Sequence, residues 1–189
     1  MSSYTALLDA NVLYPAPMRD VLLQLAVTDL FRARWTADIH REWIDALMRN
    51  EPSRDRAKLE RTRERMDRAT RDSLITGYEP FIASLVLPDP DDRHILAAAI
   101  VGRCDAIVTF NLSDFPEDIL APLGIEAQHP DDFLRNQLDL APGIFCAAIR
   151  QIRSRLKNPP FTVDEYFMTL TRVGLVALAG ELEQFAELI

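Results

Sequence analysis

Short apolar runs separated by polar turns fill the first two thirds of the chain, and helical stripes fill the last third. Tyr4 to Leu8 is apolar and stops at Asp9, which predicts a short buried strand. Pro15 and Pro17 mark a loop, after which Val21 to Phe31 carries a helical pattern with Asp20 near its start. Ala37 to Arg49 predicts a second helix, with Asp38 where an N-cap would fall. Pro52 opens a long polar helix running to about Asp72. Phe81 to Leu87 is a second apolar run. The turn Pro88 to Asp92 leads into an alanine-rich, buried helix over Arg93 to Gly102. Ala106 to Thr109 reads as a strand, Phe115 to Leu123 as a short helix or turn, Gly124 to Ala127 as a last strand, and Asp131 to Leu140 as a helix. Strands alternating with helices predict an α/β fold with a parallel sheet. Sites in such sheets form beyond the carboxyl ends of the strands.

The polar helix adds a second pattern. Arg54, Lys58, Arg61, Arg65 and Arg68 step by three and four, so they form one stripe along a helix. A solvated face laced with ion pairs, helped by Glu60 and Glu64, explains such a stripe. So does a surface that binds RNA or a protein partner.

Composition changes this picture in only a few respects. The 189 residues are 48% hydrophobic and 26% charged, ordinary values for a chain that buries a core. The net charge of -8 argues on its face against nucleic acid. Yet Arg49 to Arg71 holds nine basic and five acidic residues, and Arg150 to Lys157 holds four basic and no acidic residue. Each segment is therefore +4, and the remainder carries -16. Two basic segments on an acidic body can still bind phosphates, and part of the acidic excess fits a metal site. No apolar stretch reaches membrane-span length, and no signal peptide is expected at the N-terminus. Cys104 and Cys146 are too few for a disulfide framework, which predicts a reducing cytoplasm. With His40, His94 and His129 they lack the close spacing of a zinc site.

Taken singly, the candidate chemical residues have ordinary explanations. Asp9 after a strand is also a good turn or cap residue. Glu42 inside a helix is also a helix former on a wet face. Trp35 and Trp43 could stack on bases, or simply belong to the core. Asp91 and Asp92 suit a helix N-terminus, and Asp114-Phe-Pro-Glu117 resembles a capping box. His94 on its alanine-rich helix reads as a structural group.

Their order is more specific. A strand-borne Asp9 with Ala10-Asn11-Val12-Leu13 comes first, then Glu42 on a helix. Asp92-Arg93-His94-Ile95-Leu96-Ala97-Ala98-Ala99 follows, and then Thr109-Phe110-Asn111-Leu112-Ser113-Asp114-Phe115. This ordered set, spanning residues 4 to about 135, resembles the PIN-domain nucleases, and among them the VapC-like toxins of bacterial toxin–antitoxin pairs. The resemblance implies an α/β/α sandwich around a central parallel sheet. It also implies an acidic quartet, Asp9, Glu42, Asp92 and Asp114, that binds Mg2+ or Mn2+ and cleaves RNA. Asn111, Asn11 and Asp91 are secondary candidates. Many relatives carry Asp where this chain has Asn111, and a neutral amide offers a carbonyl oxygen without charge. The resemblance further implies an RNA substrate, a cognate antitoxin and a homodimer.

The chemistry is consistent with those residue types. Mg2+ and Mn2+ take hard oxygen ligands, clustered carboxylates supply them, and no nucleophilic Ser, Cys or His is required. Three rivals compete. One is a PIN relative without metal that acts as a binding module. Another is a PIN nuclease outside toxin–antitoxin systems. The third is a phosphatase of the haloacid-dehalogenase type, whose second acidic residue would stand where this chain has Asn11.

A PIN-like domain would occupy 1–135 and leave 136–189 as a C-terminal helical extension. There Phe145, Ile149, Ile152 and Leu156 form one apolar stripe, opposite Arg150, Arg153 and Lys157. Thr162 to Glu165 predicts a capping box, and Leu175, Leu178, Leu182, Phe185 and Ile189 a second stripe. These helices are expected to dock on the core or form a small subdomain similar to the extension of some VapC-like proteins.

Overall fold

The computed structural model describes residues 4–189. Strands β1 (Thr5–Leu8), β2 (Arg32–Arg34), β3 (Ala106–Val108) and β4 (Glu126–Gln128) form one sheet in the order β2-β1-β3-β4. All three pairings are parallel, with Leu7 opposite Arg34 on one side and Ile107 on the other. Parallel neighbours require crossovers, and helices provide them. α1 (Ala10–Leu13) and α2 (Ala16–Val27) join β1 to β2. α3 (Ala37–Asn50), α4 (Arg56–Ala69), α5 (Glu79–Ile82) and α6 (Arg93–Val101) join β2 to β3, and α7 (Glu117–Leu120) joins β3 to β4. The chain leaves β1 toward one edge and later builds toward the other. Right-handed crossovers then put α2 on one face and the later connections on the opposite face. This is the expected α/β sandwich on a parallel sheet.

Several local expectations are corrected. The first long helix begins at Ala16, not Val21. Pro15 and Pro17 sit at its entrance, where a missing N–H costs nothing. It ends at Val27, and Asp29 turns the chain with a positive φ of 59°. Phe31 is buried beyond the helix and leads into β2. That strand escapes a reading by apolar runs because two of its three residues are arginines on an edge. Thr36, not Asp38, caps α3, its hydroxyl accepting from the Ile39 amide at 3.1 Å. Asp38 instead accepts from the Tyr78 hydroxyl. The basic helix starts at Arg56 behind an Asp55 cap, so Arg54 precedes it. The run from Phe81 to Leu87 is mostly exposed, with Val86 at 78%, and only Leu87 is buried. The box expected at Asp114 and Glu117 does not form, because α7 has no side-chain cap.

Trp35 and Trp43 are both buried, which removes them as base-stacking platforms. The Trp35 indole donates to Asp67, and that of Trp43 donates to His40 Nδ1. His40 Nε2 in turn meets Asp67 at 3.0 Å, so one hydrogen-bonded group ties α3 to α4. Both cysteines are buried and free.

The C-terminal helices are α8 (Pro130–Leu140), α9 (Pro142–Arg155), α10 (Val163–Arg172) and α11 (Val176–Leu182). α9 packs on α2, burying Phe145, Ile149 and Ile152 as the stripe predicts. The Thr162–Glu165 box forms at the start of α10. α11 is fastened to α8 by a carboxylate. Asp131, buried, accepts from the Ala177 and Leu178 amides at 2.8 and 2.9 Å. Those amides lie in the first turn of α11 and have no partner within their own helix. Gly174, at φ 91°, allows the α10–α11 turn to press on Phe110. A Cβ there would come within 3.0 Å of that ring. No helix among the described residues is long and apolar enough to cross a membrane.

Candidate active site

The strand order changes direction between β1 and β3, the point at which open parallel sheets place their ligand sites beyond the strand ends. Asp9 directly follows β1 there and is 7% exposed. Its carboxylate is held from both neighbouring segments. Oδ1 accepts from the Ala10 amide at 2.5 Å. Oδ2 accepts from Asn11 Nδ2 and from the Thr109 hydroxyl, each at 2.7 Å. Thr109 is fully buried just beyond β3 and also accepts from Asn11 Nδ2 and the Asn111 amide. Asn11 Oδ1 receives the Phe110 amide at 3.2 Å. Asn11 therefore bridges the two strand ends.

Burial pushes Asp9 above the ordinary carboxylate range, and the Glu42 charge adds to this. The hydrogen bonds from Thr109 and Ala10, and the charge of His94, oppose it. One lone pair on Oδ1 remains open once these bonds are counted.

Asp92 ends the 3-10 turn Pro90–Asp92 and is half-buried, and among the described residues nothing hydrogen-bonds its carboxylate. Burial raises it to about 6, and the charges of Asp9, Asp89 and Asp114 push the same way. Asp114 closes the 3-10 turn Leu112–Asp114, is half-buried, and likewise has a carboxylate unbonded among the described residues. Glu42 reaches the group from α3, and its Oε1 meets His94 Nε2 of α6 at 2.9 Å. Burial draws the His94 imidazole down, but the Glu42 hydrogen bond and the charges of Glu42, Asp38 and Asp9 hold it above its usual value. Asp91 is exposed and faces the Asp89 cap through its amide, and Asn111 is exposed beside Asp114.

Asp92 thus feels the charges of Asp9 and Asp114, and Glu42 joins the group through Asp9. Two further participants lie outside the sequence-based list. Thr109 anchors Asp9, and His94 holds Glu42. Both stand in the quoted motifs, yet their roles follow from contacts across about 100 and 50 positions of chain. Asp89 adds its charge to Asp92 while capping the 3-10 turn.

The donor set suits a hard divalent cation. It offers oxygen donors, two of them carboxylates with no partner, and their mutual repulsion a cation would relieve. Among the described residues, no three Asp, Glu, His or Cys side chains already close around a single point. The stripe residues Lys58, Arg61, Arg65 and Arg68 lie exposed along α4. Arg54 pairs with Glu51 and Arg68 with Glu64, whereas Lys58 and Arg65 make no ion pair among the described residues.

A parallel sheet with an acidic crevice at its switch point defines a class, and comparison gives that class its name. The chain belongs to the PIN-domain family, whose model matches residues 5–113. A second model, the VapC50 C-terminal domain, matches residues 130–184. Among individual proteins it is similar to VapC50 of Mycobacterium tuberculosis, which bears the name of a ribonuclease, at 42% identity over 110 residues. That alignment spans 58% of this chain and 60% of the relative. No solved structure matches significantly.

Proposed function

We propose that the chain is a metal-dependent endoribonuclease acting as the toxin of a type II toxin–antitoxin pair. Asp9, Glu42, Asp92 and Asp114 would hold Mg2+ or Mn2+. The observation that carries this reading is the half-buried Asp92, unbonded and raised to about 6 among Asp9, Asp89 and Asp114. An unpaired buried carboxylate is costly, and a cation offsets that cost. Membership of the PIN family and the ribonuclease name of the relative agree with it.

A bound ion of this kind neutralises charge, activates water and polarises a phosphoryl oxygen. The chain's own residues have separate tasks. Thr109, Asn11 and the Ala10 amide fix the Asp9 carboxylate and leave Oδ1 a lone pair to give. Asp92 and Asp114 bring negative charge that is unspent on hydrogen bonds. His94 orients Glu42 and leaves its second oxygen unbonded. Arg54, Lys58, Arg61, Arg65 and Arg68 form the RNA- or partner-binding surface. Residues 1–135 act as the nuclease unit and 136–189 as its extension. The cytoplasm is the place of action, a cognate antitoxin the inhibitor, and a homodimer the assembly.

The test is incubation of the purified protein with a mixed RNA pool in Mg2+, Mn2+ or chelator, beside Asp92→Asn. Discrete cleavage that needs both metal and Asp92 is expected. Equal inactivity of both proteins, with no rise in Tm on Mg2+ titration, would favour a silent binding module instead.

A further inference from the structure

Phe110 stands between the acidic site and the C-terminal extension. Its backbone belongs to the site. The Phe110 amide donates to Asn11 Oδ1 at 3.2 Å. That bond fixes which way the Asn11 side chain points, and so leaves Nδ2 to donate to Asp9 at 2.7 Å and to Thr109 at 2.9 Å. The next residue, Asn111, opens the turn that ends in Asp114, and its amide is held by the Thr109 hydroxyl at 3.1 Å. Movement of the Phe110 peptide would therefore disturb the support of Asp9 and the start of the Asp114 turn together.

The half-buried Phe110 ring, by contrast, is gripped by the C-terminal part of the chain. α10 closes in a Schellman motif, with the Leu175 amide on the Leu170 carbonyl at 3.0 Å and the Gly174 amide on that of Thr171 at 3.1 Å. Leu170 and Leu175 are fully buried, so the turn is anchored. The motif explains the positive φ of 91° at Gly174. It does not explain the close approach outside it. A Cβ on Gly174 would lie 3.0 Å from Phe110 Cε1 and 3.2 Å from Cζ, so bare backbone of the extension rests on the rim of the ring. His129 meets the same ring edge-on, with centroids 5.1 Å apart and planes at 76°. Its Nδ1 accepts from the Asp131 amide at 3.2 Å, and the Asp131 carboxylate grips the first turn of α11, just beyond Gly174. Both contacts on the ring are thus fastened through Asp131.

We infer that Phe110 is a positioning residue through which the C-terminal extension fixes Asp9. Gly174 and His129 set the ring, the ring sets the Phe110 peptide, the peptide amide sets Asn11, and Asn11 sets the carboxylate. The extension is in this way part of the working site without lending it a ligand. The consequence for a bound ion rests on the metal-site reading, whereas the coupling itself does not.

The first readout accordingly needs no metal. The side-chain amide of Asn11, assigned by its loss in Asn11→Ala, is followed by heteronuclear NMR of the full chain in chelator. Gly174→Asn tolerates a positive φ better than most substitutions but adds a Cβ against the ring. Phe110→Leu stays apolar and removes the ring, which keeps the test open should Gly174→Asn not fold. Each is expected to shift the Asn11 signal and to speed exchange of the amide at position 110 by about fivefold, the scale of one hydrogen bond. Divalent-ion affinity by calorimetry should fall by about tenfold, the lower end for groups that support a ligand. Gly180→Ala on α11, where an added Cβ meets nothing within 4 Å, is the control and should move none of these. In a double-mutant cycle, the effect of Gly174→Asn on the Asn11 signal should vanish in the Phe110→Leu background. A lower Tm with the Asn11 signal unmoved, or a Gly174→Asn effect that persists without the ring, overturns the inference. A moved Asn11 signal in a protein whose wild type binds no divalent ion upholds the coupling and sinks the metal-site reading instead.

Discussion

Asp131 and Asp92 are acidic residues at helix starts, in opposite circumstances. Asp131 is buried where the extension joins the core, and both of its oxygens receive backbone amides of α11. Asp92 is half-buried, its carboxylate receives no hydrogen bond from the described residues, and it feels the charges of Asp9, Asp89 and Asp114. The first carboxylate is fully engaged by the fold and holds it together. The second is held unengaged, at a cost the rest of the core must cover. A fold can bury charge in either manner, but only the unengaged kind leaves something for a ligand to complete.

The sharpest way to test that contrast is Asp9→Asn. The amide keeps the shape but removes the charge and loses at least one accepted hydrogen bond, because its nitrogen cannot accept from the Ala10 amide or from Asn11 Nδ2. The protein should fold, and metal-dependent RNA cleavage should drop by more than the about 10–100-fold typical of groups that merely support a ligand. Cleavage retained by this variant, with its dependence on metal intact, would remove Asp9 from the site. Thr109→Val tests the support itself. It deletes the hydroxyl that donates to Asp9 at 2.7 Å while preserving volume. The loss should fall within about 10–100-fold, with weaker divalent-ion binding by calorimetry. An unchanged ion affinity would mean that Thr109 does no more than pack.

On the architectural side, Asp131→Ala should cost about 1–2 kcal/mol, the scale of losing a helix cap. Differential scanning calorimetry should show a lower Tm, and limited proteolysis should cut first near the α10–α11 turn. Cuts that begin in the core would show that this carboxylate is not the fastening point.

The smallest effect expected is in pH. The folded pKa of Asp92, about 6, exceeds its ordinary value of 3.8. Its protonated form therefore favours the folded state. In chelator, that contribution is fully present below about 4 and is lost as pH rises through about 6. Asp92→Asn should flatten the stability–pH curve in this window. Stabilisation by added Mg2+ should follow the reverse course, appearing as pH rises through 6, because the ion needs the ionised carboxylate. A Mg2+ effect that is equal at pH 5 and pH 7 would argue against Asp92 as a ligand.

Much of this was legible from residues alone. The run before Asp9, the alanine-rich helix after Asp92 and the strand before Thr109 each carry enough apolar patterning to reveal a parallel α/β sheet. The Thr162–Glu165 box was readable because both partners lie within one turn. β2 was not legible, since an edge strand of Arg-Ala-Arg shows no apolar run. The exposed segment from Phe81 to Leu87 misled in the other direction, because composition does not reveal which apolar residues find a partner. Glu42 and Asp114 entered only through the order of motifs, since each alone looks like ordinary helix chemistry.

What the sequence by itself determined was therefore local: where three of the four strands and most of the helices lie, where the Thr162–Glu165 box falls, and that acidic residues recur at strand ends. Periodicity and capping act within a few residues, so they are visible without a fold. Tertiary structure alone decided the rest. It set the Thr109 hydroxyl on Asp9, His94 on Glu42, the Asp131 carboxylate beneath α11, and the Arg19 guanidinium over the Trp43 ring. Each of these depends on burial and on charges brought together from distant parts of the chain. Burial and charge proximity are properties of the packed molecule, and no pattern along the chain encodes them one residue at a time.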